Sequence, residues 1–385
     1  MMFRMRPKYL LTFAVIAVCA LCAGTRSPDI PFEIRTLDLG ANETAAVADI
    51  NRDGKPDIVS GENWYEGPTW EKHRFRDLHF QSNYVDAFSD LILDVDGDGW
   101  PDVITATWFS KKISWYRNPG KTGGVWAESP VVTGHNTEFA FLVDIDNDGK
   151  AHEVLPQFGG RTSPTAWYEF RGGKWLEHVA SPKNFGHGIG AGDVNGDGRT
   201  DILTPKGWLE APVDPRSGSW TERNEWSFEE HLSFMHVEDV NADGKPDVIF
   251  GNGHDYGLFW LENLGDGKWK KNEIDRAWSQ VHAVTLVDLN HDGKLDIVTG
   301  KRFLAHDHDP GAQDPNGVFW YERIPTPDGK GVAWVRHILS YGGRVGGGMQ
   351  MPVVDVDGDG DLDIVAPGKS GLFLFENLTK GKTAR

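Results

Sequence analysis

The chain has 385 residues, 39% hydrophobic, 11% aromatic and 25% charged, the balance of a globular protein and not of a disordered or fibrous one. A formal net charge of −18 excludes a general nucleic-acid binder, because phosphate recognition needs a basic footprint. Gly 46 and Pro 21 make the chain turn-rich, which points to many short strands and away from long helices.

The first element in chain order reads as a secretory signal peptide over residues 1–23. Arg4, Arg6 and Lys8 form its basic start, Leu10 to Leu21 its apolar run, and Ala20, Cys22, Ala23 and Gly24 supply small residues for cleavage near Ala23. An apolar run of about 12 residues is short for a membrane span of roughly 20. The product is therefore expected to be secreted or periplasmic and not membrane-spanning. Both cysteines, Cys19 and Cys22, fall inside this segment. The remainder, 24–385, must then be held by its core or by metal instead of by disulfides.

Next comes Phe32–Leu37, an isolated strand-like run, and then seven copies of one unit. The pattern Asp-x-Asp/Asn-x-Asp-Gly-x-x-Asp starts at Asp49, Asp94, Asp144, Asp193, Asp239, Asp288 and Asp355, with spacings of 45, 50, 49, 46, 49 and 67 residues. Periods of this size signal propellers and arrays. A β-rich run follows each copy (Asp57-Ile-Val, Asp102-Val-Ile, Asp201-Ile-Leu), then an aromatic strand (Trp64-Tyr65, Trp167-Tyr168, Trp320-Tyr321). A fourth strand often reads Trp-x-x-His, as at Trp70–His73, Trp175–His178 and Trp334–His337. Four short strands per unit predict an all-β, seven-bladed β-propeller with a calcium loop in each blade. The chain ends on a third strand, Leu372–Asn377, so Phe32–Leu37 is expected to pair with it and close the ring.

Calcium takes six to eight hard oxygen ligands, and a short loop can supply carboxylates at alternate positions. The candidate ligands are Asp49, Asn51, Asp53 and Asp57 in the first copy and Asp94, Asp96, Asp98 and Asp102 in the second. Asp144, Asp146 and Asp148 serve the third; Asp193, Asn195, Asp197 and Asp201 the fourth. Asp239, Asn241, Asp243 and Asp247 follow in the fifth, Asp288, Asn290, Asp292 and Asp296 in the sixth, and Asp355, Asp357, Asp359 and Asp363 in the seventh. Gly54 and its equivalents permit the sharp bend. One extra residue in the third copy puts His152 where the last Asp is expected, with Glu153 next, so that site is expected to be weak or empty. Seven Ca²⁺ would move the charge from −18 to about −4.

These loops resemble the FG-GAP/VCBS repeat family, the calcium-loop propeller repeats also found in integrin α-chain heads. The resemblance covers nearly all of 24–385 and implies the fold and up to seven structural Ca²⁺ sites.

Position within the repeat sorts the histidines. His73, His178, His231 and His337 sit in the outer-strand pattern, where a packed structural role is expected. His79, His135, His187, His236, His254, His282, His306 and His308 fall in loops or strand starts on the face opposite the calcium loops. Six residues before the first loop aspartate stand Glu43, Phe88, Glu138, His187, Ser233, His282 and Met349, which alternation along a strand places in one ring around the channel. His187, His282 and Glu138, with His236 or His135 nearby, offer imidazoles and a carboxylate to one Zn²⁺ or other divalent ion in the channel. Lys206, Lys301, Arg302 and Lys369 bring cations to a second ring of loops, and a long loop from Lys301 to Gly311 gathers His306, Asp307, His308 and Asp309. Trp108, Phe109, Phe158, Tyr256 and Phe303 offer stacking surfaces for a sugar ring.

The His-bearing channel loops also resemble the propeller domain of the aldos-2-ulose dehydratases, which implies a metal-assisted dehydration or β-elimination of a keto-sugar. In that reading His187, His282, His236, Lys301, Arg302 and His306 are catalytic candidates, with His135, Glu138, Trp108, Lys206, His254, Tyr256 and Asp309 binding ligand. The alternative is a non-catalytic secreted module that binds a glycan or a protein. No nucleophile elbow, phosphate loop or dinucleotide fingerprint occurs, which disfavours serine hydrolase, kinase and dehydrogenase chemistry.

Overall fold

Each repeat is organised by the last acid of its aspartate loop. In the computed structural model, which describes residues 26–81 and 84–380, Asp57 is fully buried at the start of the strand Asp57–Ser60. Its Oδ2 accepts the amide of Ile50 (2.8 Å) and its Oδ1 the amide of Gly67 (2.9 Å), so one carboxylate ties the loop to the end of the next strand but one. Asp102, Asp201, Asp247 and Asp363 make the same pair of bonds. In the third copy the structure corrects the sequence reading: Glu153, not His152, takes the place of the last acid. Its Oε2 accepts the Ile145 amide at 3.0 Å, the extra methylene of glutamate absorbing the inserted residue.

All seven loops share one backbone shape. The fourth position is left-handed in each (Arg52, Gly97, Asn147, Gly196, Ala242, His291, Gly358), and so is the sixth, always glycine (Gly54, φ 87° in the first). The sixth position is where the absence of Cβ matters most, since that φ is strained for any side chain.

The four strands that follow are antiparallel and run outward from a central channel. The expectation of a seven-bladed propeller is corrected by the sheet topology: five four-stranded sheets stand as separate blades, not seven. They are the sheets beginning with the inner strands Ala46–Ala48, Ser89–Leu93, Thr137–Val143, Val281–Val287 and Val353–Val354. Residues 189–279 instead form one continuous eight-stranded sheet, because Ile189–Gly192 pairs in parallel with Leu232–Glu238. Glycine causes the fusion. A Cβ on Gly190 would lie 2.1 Å from the Met235 carbonyl oxygen, one on Gly188 2.7 Å from Leu232 Cβ and one on Gly192 2.7 Å from Val237 Cβ. At the position of Gly190 earlier repeats carry Ala46, Leu91 and Phe141, whose side chains line the channel. Phe32–Asp38 pairs antiparallel with Gly371–Asn377 as the outermost strand of the last sheet.

Apolar side chains from adjoining sheets fill the space between them, as where Phe139, Leu155 and Trp167 meet Ile202 and Leu209. The outer strands add a recurring polar device. His73, His178 and His337 pair across strands with Trp64, Trp167 and Trp320, stacking at centroid distances of 4.2, 4.1 and 4.0 Å. Each ring also bonds a glutamate: Glu66 and Glu169 at 2.9 Å, Glu322 at 3.0 Å.

Residues 1–23, read from the sequence as a signal peptide, lie outside the described residues. Among the described residues, the one helical turn is the 3-10 segment Gly120–Thr122, and no helix is long and apolar enough to cross a membrane.

Candidate functional site

At the mouth of the channel, on the side away from the aspartate loops, lies a cleft of about 490 Å³. Tyr84, Phe88, Trp108 and Phe109 form one wall, and Glu138, His187, His231, His254, Arg302 and His306 the other. The strand Thr137–Val143 delivers Glu138 and the strand Val281–Val287 delivers His282. His187 precedes the inner strand Ile189–Gly192, and His254 sits in the turn before Tyr256–Gly265. Glu138, His187, His254 and His282 each offer a ligand atom, and these atoms all lie within 4.8 Å of one another.

The hydrogen bonds around them prepare nitrogen lone pairs. His187 Nδ1 lies 2.7 Å from the Leu232 carbonyl oxygen, which can only accept, so Nδ1 carries the proton. Its Nε2 faces Glu138 Oε2 at 2.8 Å, a contact that needs either a second proton on the ring or a cation shared by both groups. His282 is fully buried, and its Nε2 has no hydrogen-bond partner; it lies 3.5 Å from Glu138 Oε1, out of line for a bond. Burial, and then the Arg302 charge, pull the His282 pKa down to about 3, so the ring is neutral. His254 Nε2 is likewise buried without a partner, and burial together with His187 and His282 lowers that ring's pKa as well. Buried imidazoles with unused nitrogens beside a carboxylate are the donor set expected of zinc or a similar ion, oriented by outer-shell bonds such as that of His187 to Leu232.

Arg302 ties the site to its surroundings. It is 1% exposed; Nε donates to Glu43 Oε2 (3.0 Å), Nη1 to Glu138 Oε1 (3.1 Å), and Nη2 has no partner. Burial acts to raise the Glu138 pKa, but His187, His282 and Arg302 outweigh it and hold the carboxyl well below the usual range. Lys369 lies over the Tyr84 ring, 3.4 Å from its centroid, and burial brings its pKa to about 8.

The other sequence candidates scatter. Lys301 turns away from the cleft: alternation along the strand sends it opposite Arg302, and its Nζ donates to Ser279 Oγ (3.1 Å) and the Gly311 carbonyl (2.6 Å). Lys206 bonds the Phe228 carbonyl and Glu229, and the Tyr256 hydroxyl bonds Asp314, both outside the cleft. His135 stacks on Phe158 and bonds Ser163. His236 lines the channel itself, a space of about 680 Å³; burial takes its pKa to about 4. Trp108 lines the cleft, its ring seated where Gly159 has no Cβ. His306 and Asp309 stand beside His254.

Among the cleft residues that sequence reasoning missed, His231 and Tyr84 stand out. His231 was expected in an outer strand, but that strand ends at Arg223, and His231 leads into the inner strand Leu232–Glu238. Its Nδ1 meets His254 Nδ1 at 2.8 Å and its ring stacks on His187. Tyr84 gave no signal, since it starts the two-residue strand Tyr84–Val85, paired with Phe80–Gln81 in a small hairpin outside the repeat pattern.

On the opposite face, acid oxygens gather within 4.8 Å in three loops: Asp94, Asp96 and Asp102; Asp144, Asp146 and Asp148; Asp355, Asp357 and Asp359. Cations lean on several loops, as where Arg117 bonds Asp96 (2.5 Å) and Asp98 (2.9 Å).

Comparison with known proteins bears on the fold. The chain resembles solved structures including a lectin of Agrocybe aegerita that recognises non-reducing terminal N-acetylglucosamine (17% identity over 78% of this chain and 81% of that one, TM-score 0.49). BBS1N, crystallised with ARL6DN, aligns at 11% identity over 92% and 97% of the two chains, TM-score 0.55. The β-propeller domain of Myceliophteria thermophila Cps50 (Swd1) aligns at 10% identity over 90% and 100%, TM-score 0.53. For the last two, at 11% and 10% identity, the likeness is one of fold. No curated protein matches the chain. An FG-GAP-like repeat model matches residues 94–152 and 239–299, and an FG-GAP repeat model matches 185–206. With those matches set on this propeller architecture, the chain is identified as a β-propeller that carries FG-GAP repeats.

Proposed function

We propose that the channel mouth is a metal-dependent site for a carbohydrate-like ligand, in which Glu138, His187 and His282, with His254 beside them, hold a divalent ion and the ligand undergoes dehydration or β-elimination. The observation that carries this reading is the convergence of three imidazoles and a carboxylate on one point of an aromatic-walled cleft. When bound, such an ion polarises a carbonyl or hydroxyl oxygen of the ligand. Tyr84, Trp108 and Phe109 offer apolar faces on which a sugar ring stacks. Arg302, fixed by Glu43 and Glu138, aims its free Nη2 at a ligand carboxylate or developing oxyanion. His231, the exposed imidazole of the cleft, exchanges a proton at Nε2, its Nδ1 being engaged by His254.

The aspartate loops are proposed to bind calcium as structural sites, their carboxylates already bonded to loop amides as in Asp49 with Asp53 and Gly54 (2.9 Å each). Secretion or export to a periplasm is proposed from the basic start and apolar run of residues 1–23, read as a signal peptide.

Metal analysis of the purified protein tests the reading. A transition metal retained beside calcium, and lost in the His187→Ala/His282→Ala variant, supports it; calcium alone, with unchanged ligand binding in the variant, removes it. A screen of keto-sugars and uronate-containing glycans, followed by ultraviolet absorbance of an unsaturated product, identifies the ligand class. Stacking walls equally suit a non-catalytic glycan-binding module, and binding in that screen without product formation selects that alternative.

A further inference from the structure

The long loop after the strand Asp296–Lys301 places a second set of metal ligands beside the first. From the residues it presents, we propose a second divalent-ion site formed by His254, His306 and Asp309, making the channel mouth a two-ion centre. One ligand atom from each of the three lies within 4.8 Å of the others.

The loop is built to hold this set. The Asp309 amide bonds the His306 carbonyl (3.2 Å) and the Ala312 amide bonds the Asp309 carbonyl (3.1 Å), so successive turns bring His306 and Asp309 to one side. Ala305, between Arg302 and His306, is fully buried, and its amide points at Gln280 Oε1 (3.3 Å). Lys369 bonds the Leu304 carbonyl from a neighbouring sheet. These contacts fix the loop against the cleft before any ligand arrives.

Unused donor atoms mark the site. His254 Nε2, His306 Nε2 and Asp309 Oδ2 are all buried from solvent and make no hydrogen bond. Asp309 Oδ2 lies 3.3 Å from His254 Nδ1 without the alignment of a bond, and the His254 and His306 rings are 4.1 Å apart. Three buried polar atoms left without partners destabilise the fold unless something satisfies them. Two imidazoles and one carboxylate suit a borderline ion such as zinc and leave coordination positions open.

The partition between the sites is chemical. The inference rests on the reading that Glu138, His187 and His282 hold the first ion, which releases His254 to the second. Each ion then has two imidazoles and one carboxylate. A cavity of about 430 Å³ adjoins the second set and shares Tyr84, His254 and His306 with the main cleft, so a ligand oxygen reaching one ion lies close to the other. Paired ions of this kind clamp two oxygens of one ligand, such as vicinal hydroxyls or a carboxylate and its neighbouring hydroxyl.

The test is zinc stoichiometry of the full chain in millimolar calcium, after transition ions have been stripped. Two zinc ions per chain are expected in the wild type, one in His306→Ala/Asp309→Asn, and one in Glu138→Gln/His187→Ala. A single zinc in the wild type that survives in the His306/Asp309 variant, or two retained in that variant, overturns the second site. If the wild type holds one zinc and only the Glu138/His187 variant loses it, the second site falls while the functional reading stands. If only the His306/Asp309 variant loses zinc, the second site stands and the functional reading falls. Anomalous scattering at the zinc edge from wild-type crystals gives a measurement independent of variant folding: two peaks at the mouth are expected, and one peak contradicts the inference.

Discussion

The outer strands and the channel mouth use the same side chain in opposite circumstances. His73, His178 and His337 each stack on a tryptophan and bond a glutamate, so their capacity is spent on the fold. His254 and His306 are partly buried and His282 fully so, yet each keeps an Nε2 with no partner. Burial of an unsatisfied nitrogen is unfavourable, and of the four histidines with such an Nε2 among the described residues three face one another and a carboxylate, His236 in the channel being the fourth. The difference teaches that burial of a histidine says little about its purpose, whereas the fate of its second nitrogen says much.

The comparison can be broken or sharpened by substitution. The largest stability effect is expected at Arg302, which neutralises buried Glu43 and Glu138 together: Arg302→Met should lose about 3–5 kcal/mol in denaturant unfolding, because two carboxylates are left without their cation. Next, His337→Leu should cost about 1–3 kcal/mol, since Glu322, 1% exposed, loses a bond. The same change at the mouth, His282→Leu, should alter metal-free stability by no more than about 1 kcal/mol, because it removes an unsatisfied nitrogen and keeps the volume. Equal costs for the two leucine variants would erase the distinction drawn between the regions.

A smaller effect concerns the aspartate loops. Burial pushes Glu153, Asp201 and Asp363 up to about 7. An acid whose folded pKa lies above its unfolded value binds more protons when folded, so its contribution to stability declines as pH rises from about 4 and is fully lost above about 7. Bound calcium would offset that loss. The gain in melting temperature on adding calcium should therefore widen between pH 5 and pH 8; an equal gain at both values would speak against calcium acting through these acids.

Much of the architecture was legible in the residues. The aspartate loops announced themselves because glycine at the sixth position is required by a left-handed φ, and the Trp-x-x-His strands because one face stacks on the next strand. Fusion of residues 189–279 into one sheet was not legible: Gly188, Gly190 and Gly192 look like an ordinary weak strand until their closeness to Leu232, Met235 and Val237 is seen. At the mouth, the position six residues before each loop brought Glu138, His187 and His282 to one place. Choosing between Lys301 and Arg302 needed the parity of the strand, which a one-residue change inverts. His231 was hidden by the early end of its outer strand, and Tyr84 by a segment without periodicity.

The central claim is that free imidazole nitrogens at the mouth bind a metal and satisfied ones in the outer strands do not. Zinc affinity measured in calcium-saturated protein tests it most directly. The His187→Leu/His282→Leu variant should bind zinc at least about 100-fold more weakly than wild type, while His73→Leu/His337→Leu should bind it unchanged. Equal affinity in the two variants, or loss confined to the outer pair, would contradict the account.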